Sequence, residues 1–257
     1  MPLNGIGVWI LTGIFMEKID KTKEMLALIS SSVHDMKAPL TTIGGFIEAV
    51  LDGTAKDGSA RHCLETALSE TNRLTDIVNE LLDVSKIEAG AVNYDMRPTD
   101  ICECVRKIII SLEGKINEKN LDIEFACTRD RIKANADEPS LTRALYNICE
   151  NAVKFSPAGG KISVFVSETE NGAKISVTNE GEPIDKADIG HIFEPFYRSK
   201  RKEKISGSGL GLYIAMQTAK AHGGVITVTS EECGERESAC ACGKTEFVFE
   251  IRNGGTK

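Results

Sequence analysis

Several features that define other protein classes are scarce or absent in this chain. Aromatic residues make up only 5% of its 257 residues, and eight cysteines are too few for the dense disulfide framework of a small secreted domain. No run of 18 apolar residues, no P-loop, no internal repeat and no low-complexity tract occurs. The net charge of -7 argues against bulk electrostatic binding to nucleic acid. We therefore expect one large or two modest domains in a reduced environment.

Residues 3–16 form an uncharged apolar segment. As a helix this segment rises about 21 Å, which is short of the hydrocarbon core of about 30 Å. It lacks the basic start and the small-residue cleavage site of a signal peptide, while Lys18, Lys21 and Lys23 follow it as on the cytoplasmic side of a membrane segment. Three interpretations stay open: a membrane helix truncated at its start, an interfacial anchor, or an apolar cap buried against the protein.

Two stretches between residues 20 and 89 have apolar residues at helical spacing. The turn-forming segment 52–58 separates them, and Gly90 ends the second stretch. The second stretch repeats close to every 3.5 residues, through Leu64, Leu68, Thr71, Leu74, Val78, Leu81, Leu82 and Ser85. The pattern predicts an antiparallel helical hairpin. Because a lone hairpin buries too little apolar surface, we expect it to dimerise into a four-helix bundle.

Beyond Pro98 the chain alternates between strand-like and helix-like patterns. Strands are predicted at residues 121–127, 161–167, 173–178, 225–229 and 245–251, and helices at residues 100–118, 138–155 and 210–222. Strands in hairpin-like pairs with helices between them indicate an α+β two-layer sandwich, with the helices on one face of the sheet. The predicted domains are an apolar segment (1–17), a helical hairpin (18–92) and a sandwich (93–257).

Two polar patterns in the second domain suit the phosphates of a nucleotide. Residues 206–212 read S-G-S-G-L-G-L and open into a helix, where backbone amides bind anions. Asn147 and Asn151 lie four residues apart and Lys154 lies three further on, so all three share one helix face. Neutral oxygen ligands and a lysine suit a Mg²⁺-nucleotide. Each pattern alone is equally typical of a tight turn or of a solvated polar stripe.

His34 is the candidate nucleophile of the hairpin. Asp35 follows it, and Pro39 lies about one turn later, where a proline usually kinks a helix. A histidine with an adjacent carboxylate can act as a nucleophile with its orienting group. By itself, a lone helix histidine is more often an exposed residue without a chemical role.

Four motifs together resemble those of the sensor histidine kinases of two-component systems. In chain order they are H-D-x-x-x-P-L at 34–40, N-x-x-x-N-A-x-K-F-S at 147–156, F-E-P-F-Y-R at 193–198 and G-x-G-L-G-L at 207–212. Residues 73–90 also look like the end of that family's dimerisation hairpin. The resemblance spans about residues 23–251 and implies a HisKA-type hairpin followed by a Bergerat-type ATP-binding domain.

This resemblance implies a function. ATP would phosphorylate His34, and the phosphoryl group would pass to an aspartate of a response-regulator receiver domain. The implied catalytic residues are His34, Asp35 and Arg198. Asp35 would hold one ring N–H of His34 while the other nitrogen attacks. Asn151 and Asn147 would lie at Mg²⁺. The implied nucleotide-binding residues are Asn147, Asn151, Lys154, Phe155, Asn179, Gly181, Tyr197, Gly207, Gly209, Leu210, Gly211 and Leu212.

The same resemblance implies a role for a basic segment and a location for the protein. Residues 198–206 carry five basic residues and one acidic residue, and they match the family's mobile lid over the phosphates. The implied protein is a homodimer through its hairpin and binds no nucleic acid. Its catalytic part would lie in the cytoplasm, attached to the inner face of the cell membrane if residues 3–16 are an anchor.

The sequence departs from the family pattern in three places, and two alternative functions stay open. Asn179 and Pro183 stand where an aspartate and a glycine are usual, which is compatible with a degenerate scaffold that docks a regulator without catalysis. Ala38 replaces the threonine or asparagine that orients water in many relatives, so phosphatase activity is expected to be weak. Extra thiols occur at Cys233, Cys240 and Cys242 in spacing that fits no standard zinc site. A gyrase-like or chaperone-like ATPase is the other alternative, and the His34 hairpin argues against it.

Overall fold

The computed structural model describes residues 30, 33, 35–56, 58–199, 207–232 and 243–253. These form two compact units divided between Leu82 and Asp83, whereas the sequence predicts a boundary between residues 92 and 93. The predictions for residues 3–16, for His34, for most of the segment 198–206 and for the three thiols at 233, 240 and 242 lie outside the described residues.

The first unit contains two helices joined by a short turn. Helix α1 covers residues 35–51 and continues through Pro39, which is buried. In the turn, the Asp52 carboxylate accepts hydrogen bonds from the backbone N–H of Thr54 at 2.9 Å and from its hydroxyl. Helix α2 covers Ser59–Glu88. It ends where Gly90 takes φ 62, and the Gly90 N–H donates to the Ile87 carbonyl. The predicted helical hairpin is confirmed.

An apolar stripe on the hairpin remains exposed in the single chain. On α1 it comprises Leu40, Ile47 and Leu51, and on α2 it comprises Leu64, Leu68, Val78 and Leu82, with side chains between 38% and 80% exposed. The spacing on α2 follows the heptad pattern in the sequence. An exposed stripe of this length is typical of a surface that a partner helix covers.

The second unit begins with the last turns of α2 and contains a mixed sheet with three long helices. Its elements are β1 (Arg97–Asp100), α3 (Ile101–Glu118), β2 (Asp122–Cys127), β3 (Lys133–Ala136), α4 (Glu138–Phe155), β4 (Lys161–Thr169), β5 (Gly172–Gly181), α5 (Lys186–Ile189), α6 (Gly211–Ala221), β6 (Val225–Glu232) and β7 (Gly243–Arg252). The main sheet has the order β2-β4-β5-β7-β6. Strands β1 and β3 form a separate antiparallel pair.

The five predicted strands and three predicted helices are present, with two differences in the sheet. Strand β2 pairs with β4 in parallel, not as a hairpin, because β3 and α4 lie between them in the chain. The residues around Pro98, which are not among the predicted strands, form β1. Alternate residues of the central strands are buried beneath the helices, and the largest fully buried side chains include Ile108, Leu112, Leu141, Leu145, Ile162, Ile175, Phe249 and Ile251. The predicted two-layer α+β sandwich is confirmed.

No helix among the described residues is both long and apolar enough to cross a membrane. Attachment through residues 3–16 stays a prediction from the sequence.

His222 joins the end of α6 to the start of α4. Its ring is buried, its Nε2 accepts the Asp137 N–H at 3.0 Å, and its Nδ1 lies 2.7 Å from the Thr218 carbonyl. With Nε2 as an acceptor, the ring is neutral and the proton is on Nδ1. Tyr94 packs edge-on against the ring at 5.8 Å between centroids. Burial lowers the pKa of His222, although the Thr218 carbonyl and the nearby Asp137 oppose this shift.

Stability is therefore expected to fall on acidification through the pH range just below 6.5. The unfolded chain binds a proton at His222 more readily than the folded chain, so the contribution of the neutral ring is present above about pH 6.5 and is lost as pH falls. Denaturant midpoints at pH 7.5 and 5.5 check this expectation. In His222→Gln the difference between the two midpoints should shrink, and an unchanged difference would assign the pH dependence to other groups.

Candidate functional site

The polar face of α4 provides the first side chains of the site. Asn147 is buried, and its Nδ2 donates to the Gly211 carbonyl at 3.1 Å. This bond occupies one amide donor and leaves the Asn147 carbonyl oxygen as an acceptor. Asn151 is half-buried one turn later, and the ammonium group of Lys154 lies 5.5 Å from the Phe155 ring centroid. The predicted order of groups along one helix face is present.

The glycine-rich segment 207–211 packs directly against this face. A Cβ on Gly207 would lie 2.5 Å from the Lys154 Nζ, and a Cβ on Gly211 would lie 3.2 Å from the Asn147 Cγ. Leu210 is fully buried, and Leu212 packs against the core, so both leucines anchor the segment. The segment leads into α6, whose N-terminus has no side-chain cap. The first N–H groups of a helix have no acceptor within the helix, and such a terminus favours an anion.

The chain on the two sides of residues 200–206 is held together by its backbone. The Phe196 N–H donates to the Gly209 carbonyl at 3.0 Å. Gly209 has φ 76, and a Cβ there would lie 2.7 Å from the Phe196 carbonyl carbon and 2.9 Å from the Tyr197 carbonyl oxygen. Phe196 itself has φ 62, which is uncommon for a bulky residue. Glycine at 209 is therefore required both by conformation and by space.

Tyr197 is anchored beside this contact. Its hydroxyl donates to the Asp188 Oδ1 at 2.6 Å, and its ring stacks on His191 at 5.7 Å between centroids. The hydrogen bond to the Asp188 carboxylate, together with burial and nearby negative charge, raises the pKa of Tyr197 to about 12. Tyr197 therefore stays neutral at physiological pH. Arg198 follows it with an exposed side chain.

The end of β5 forms the other side of the site. Asn179 is buried, and its Nδ2 donates to the Glu180 carbonyl at 3.1 Å. A Cβ on Gly181 would lie 2.6 Å from the Phe155 carbonyl oxygen, so the end of β5 contacts the end of α4. Pro183 packs against Gly243 of β7, where a Cβ would lie 2.7 Å from the proline Cδ. The unusual proline is thus accommodated by a glycine on the neighbouring strand.

Comparisons with known proteins agree with this geometry. Residues 136–254 match the family described as histidine kinase-, DNA gyrase B- and HSP90-like ATPase, and residues 24–90 match the His Kinase A (phospho-acceptor) domain. The chain is 35% identical over 223 residues to the sensor histidine kinase WalK of Bacillus subtilis (strain 168), covering 84% of this chain. This chain belongs to the sensor histidine kinases.

Solved histidine kinase structures share the fold. The Acinetobacter baumannii histidine kinase AdeS matches with a TM-score of 0.66 at 19% identity, over 86% of this chain and 98% of AdeS. The histidine kinase ThkA, solved in complex with the response regulator protein TrrA, matches with a TM-score of 0.66 at 24% identity, over 93% of this chain and 64% of ThkA. The chain spans only 36% of the length of WalK.

The second unit of this histidine kinase brings most of the predicted nucleotide residues into one place. Direct contacts join α4, the end of β5, residues 196–197 and the glycine-rich segment. Asp35 belongs to α1 of the first unit, where its side chain is half-buried. Leu212 is half-buried and packs against the core, and its contact with the nucleotide stays a prediction.

Three further residues support the site without having been predicted to do so. Asp188 holds the Tyr197 hydroxyl, His222 joins α6 to α4, and Lys119 binds the last turn of α4. The sequence marks none of these pairings, because each partner lies far away in the chain or on a different element.

The donor set at this site fits Mg²⁺-ATP. The Asn147 and Asn151 side chains carry neutral oxygens, of the kind that Mg²⁺ accepts alongside water and phosphate. Lys154 and the uncapped start of α6 offer positive charge and N–H groups to phosphates, and Gly207 leaves room beside the ammonium group. The family match to ATPases covers all of these residues.

Proposed function

We propose that this chain is the kinase core of a two-component sensor. It phosphorylates its own His34 with ATP and passes the phosphoryl group to an aspartate of a response-regulator receiver domain. The observation that carries the proposal is the packing of the glycine-rich segment against Asn147 and Lys154 in a chain that also has a phospho-acceptor hairpin. An ATPase without such a hairpin lacks this phospho-acceptor domain.

The nucleotide is held by residues from three elements. Lys154 would offset phosphate charge and the N–H groups at the start of α6 would donate to the phosphate oxygens, while Asn151 and Asn147 would hold the metal. Bound Mg²⁺ supplies charge neutralisation at the transferred phosphoryl group. Asn179 and Gly181 take the base, with the Asn179 carbonyl oxygen accepting from its amino group. Phe155 and Tyr197 enclose the site, and Gly209, Leu210, Gly211 and Leu212 keep the glycine-rich segment in place.

His34 is the nucleophile. Phosphoryl transfer depends mainly on positioning and on charge stabilisation, so the histidine has to present one neutral ring nitrogen in line with the γ-phosphate. Asp35 holds the other ring N–H and stabilises the positive charge that develops on the ring. Arg198 approaches the γ-phosphate, where a guanidinium group can bind two oxygens at once.

The partners follow from the hairpin. A second copy of the chain covers the exposed stripe of α1 and α2, so that two hairpins form a four-helix bundle. The receiver domain docks on the hairpin near His34. A response regulator bound to the related kinase ThkA supports this choice of partner.

A double-label experiment separates the kinase from the degenerate scaffold. The protein is incubated with Mg²⁺ and either γ-labelled or α-labelled ATP, and label retained by the denatured protein is counted. A kinase retains γ-label and no α-label, because only the terminal phosphoryl group is transferred. A scaffold retains neither. Nucleotide binding without any retained γ-label would contradict the proposed function.

Phosphatase activity is expected to be weak because position 38 carries a methyl group. Ala38 is exposed on α1, four residues after His34, and a methyl group cannot orient water. A purified, phosphorylated receiver domain should therefore lose phosphate at nearly its intrinsic rate in the presence of this protein and ADP. Ala38→Thr is expected to accelerate the loss while leaving His34 phosphorylation intact. Rapid dephosphorylation by the wild-type protein would show that another residue positions the water.

A further inference from the structure

Lys119 binds the end of α4 through both its ammonium group and its backbone. Its Nζ donates to the carbonyls of Val153 at 3.0 Å, Lys154 at 2.8 Å and Ser156 at 3.1 Å. Its own carbonyl accepts the Gly159 N–H at 3.0 Å. One residue at the C-cap of α3 therefore binds the chain on both sides of the end of α4.

These carbonyls need such a partner because the last four carbonyls of a helix have no partner within it. Ser156 satisfies one of them, since its N–H and its hydroxyl both donate to the Ala152 carbonyl. The Val153 and Lys154 carbonyls are bound by the Lys119 ammonium group. A cation at the C-terminus of a helix also interacts favourably with the helix dipole.

The last turn of α4, which Lys119 binds, contacts the two glycine-containing segments of the site, one at Gly207 and one at Gly181. The Lys154 side chain lies against Gly207, and the Phe155 carbonyl oxygen lies against Gly181. Asn151 is one turn earlier on the same helix. A small displacement of residues 153–156 therefore moves the phosphate side and the base side of the site together.

We propose that Lys119 is a positioning residue of the nucleotide site, which fixes the last turn of α4 so that Asn151, Lys154 and the Phe155 carbonyl keep their places between the two glycine-containing segments. This inference rests on the proposed function of that site. Lys119 does not touch the nucleotide, and its effect reaches the ligand through α4.

Lys115 offers a matched control. It lies one turn earlier on the same face of α3, and its ammonium group also reaches α4, where it contacts Glu150 and the Tyr146 hydroxyl. Among the described residues, the Lys115 ammonium group makes no hydrogen bond with the terminal carbonyls of α4; its partners are Glu150 and Tyr146. Lys115→Met therefore removes a polar contact between the same two helices without releasing the last turn.

The test is binding of a fluorescent ATP analogue with Mg²⁺ to the full chain at a temperature where every variant is folded. Lys119→Met is expected to weaken binding about 10-fold, which equals about 1.4 kcal/mol. Lys115→Met should weaken nucleotide binding less than about 2-fold, even if its unfolding midpoint falls as far as that of Lys119→Met. A loss of stability alone leaves the folded site unchanged. Lys119→Arg should restore most of the affinity, because its guanidinium group also donates to several carbonyls.

The outcomes distinguish this inference from the proposed function. Wild-type protein that binds no analogue would contradict the proposed function itself. Wild-type affinity in Lys119→Met, or an equal loss in both methionine variants, would overturn the role of Lys119. If Lys119→Met does not fold, Lys119→Gln replaces it, since the shorter amide donates to fewer carbonyls and should lose affinity while Lys115→Gln keeps it.

Discussion

Gly209→Ala is expected to abolish nucleotide binding and autophosphorylation. The φ of 76 at this position costs an alanine about 1–2 kcal/mol by itself. The added Cβ would also lie 2.7 Å from the backbone of Phe196, and backbone atoms cannot move aside as a flexible side chain can. The Phe196–Gly209 hydrogen bond would break, and the glycine-rich segment would leave α4. Titration with a fluorescent ATP analogue and γ-label retention measure the two losses.

Gly190→Ala is the matched control for this substitution. Gly190 follows α5 with φ -68, and a Cβ there meets no atom within 4 Å. Binding and labelling should therefore stay within about 2-fold of wild type, a change below 0.5 kcal/mol that is ordinary for such positions. Equal activity in Gly209→Ala and Gly190→Ala would mean that the contact between residues 196 and 209 is dispensable.

Asn179→Ala is expected to abolish nucleotide binding as well, for a chemical reason and not a steric one. Asn179 is buried at the end of β5, and alanine removes the only side-chain amide at that point of the strand. The buried base amino group would then have no acceptor, which costs about 1–3 kcal/mol, and the Glu180 carbonyl would lose the hydrogen bond from the Asn179 amide. Calorimetric titration with ATP and Mg²⁺ gives the loss directly.

Two variants of the same strand complete that experiment. Thr178→Ala changes the neighbouring residue, which points to the other face of the sheet, and should leave ATP affinity unchanged. Asn179→Asp introduces the residue usual in the family and should bind ATP at least as tightly as wild type, because a carboxylate accepts a stronger hydrogen bond. Unchanged binding in Asn179→Ala would show that the base is recognised elsewhere.

The sequence predicts the main elements of this fold because their patterns are long and local. Helix α4 lies at the predicted residues, because apolar residues recur there at helical spacing, and the structure shows that Asp137 caps it. Strands β1 and β3 were not predicted, because four residues such as R-P-T-D carry no alternation that distinguishes a strand from a linker. The parallel pairing of β2 with β4 depends on a crossover that no local pattern encodes.

In the candidate site too, the sequence predicts the local patterns but not the contacts between distant residues. Asn147, Lys154 and the glycine-rich segment were predicted because their spacing places like chemistry on one helix face or in one turn. Their packing against each other, at 3.1 Å between Asn147 and Gly211, is a property of the folded chain. Lys119 and Asp188 were not predicted for this reason, because a lone lysine or aspartate belongs to no motif and its partner is known only from the fold.

The measurement that tests the central claim most directly is the chemistry of the retained γ-label in two histidine variants. Wild-type protein incubated with Mg²⁺ and γ-labelled ATP is expected to carry label that acid removes and alkali does not, as a phosphohistidine does. His34→Gln should carry none. His62→Gln, which changes an exposed histidine of α2, should label like wild type. Acid-stable label, or label that persists in His34→Gln, would contradict the account.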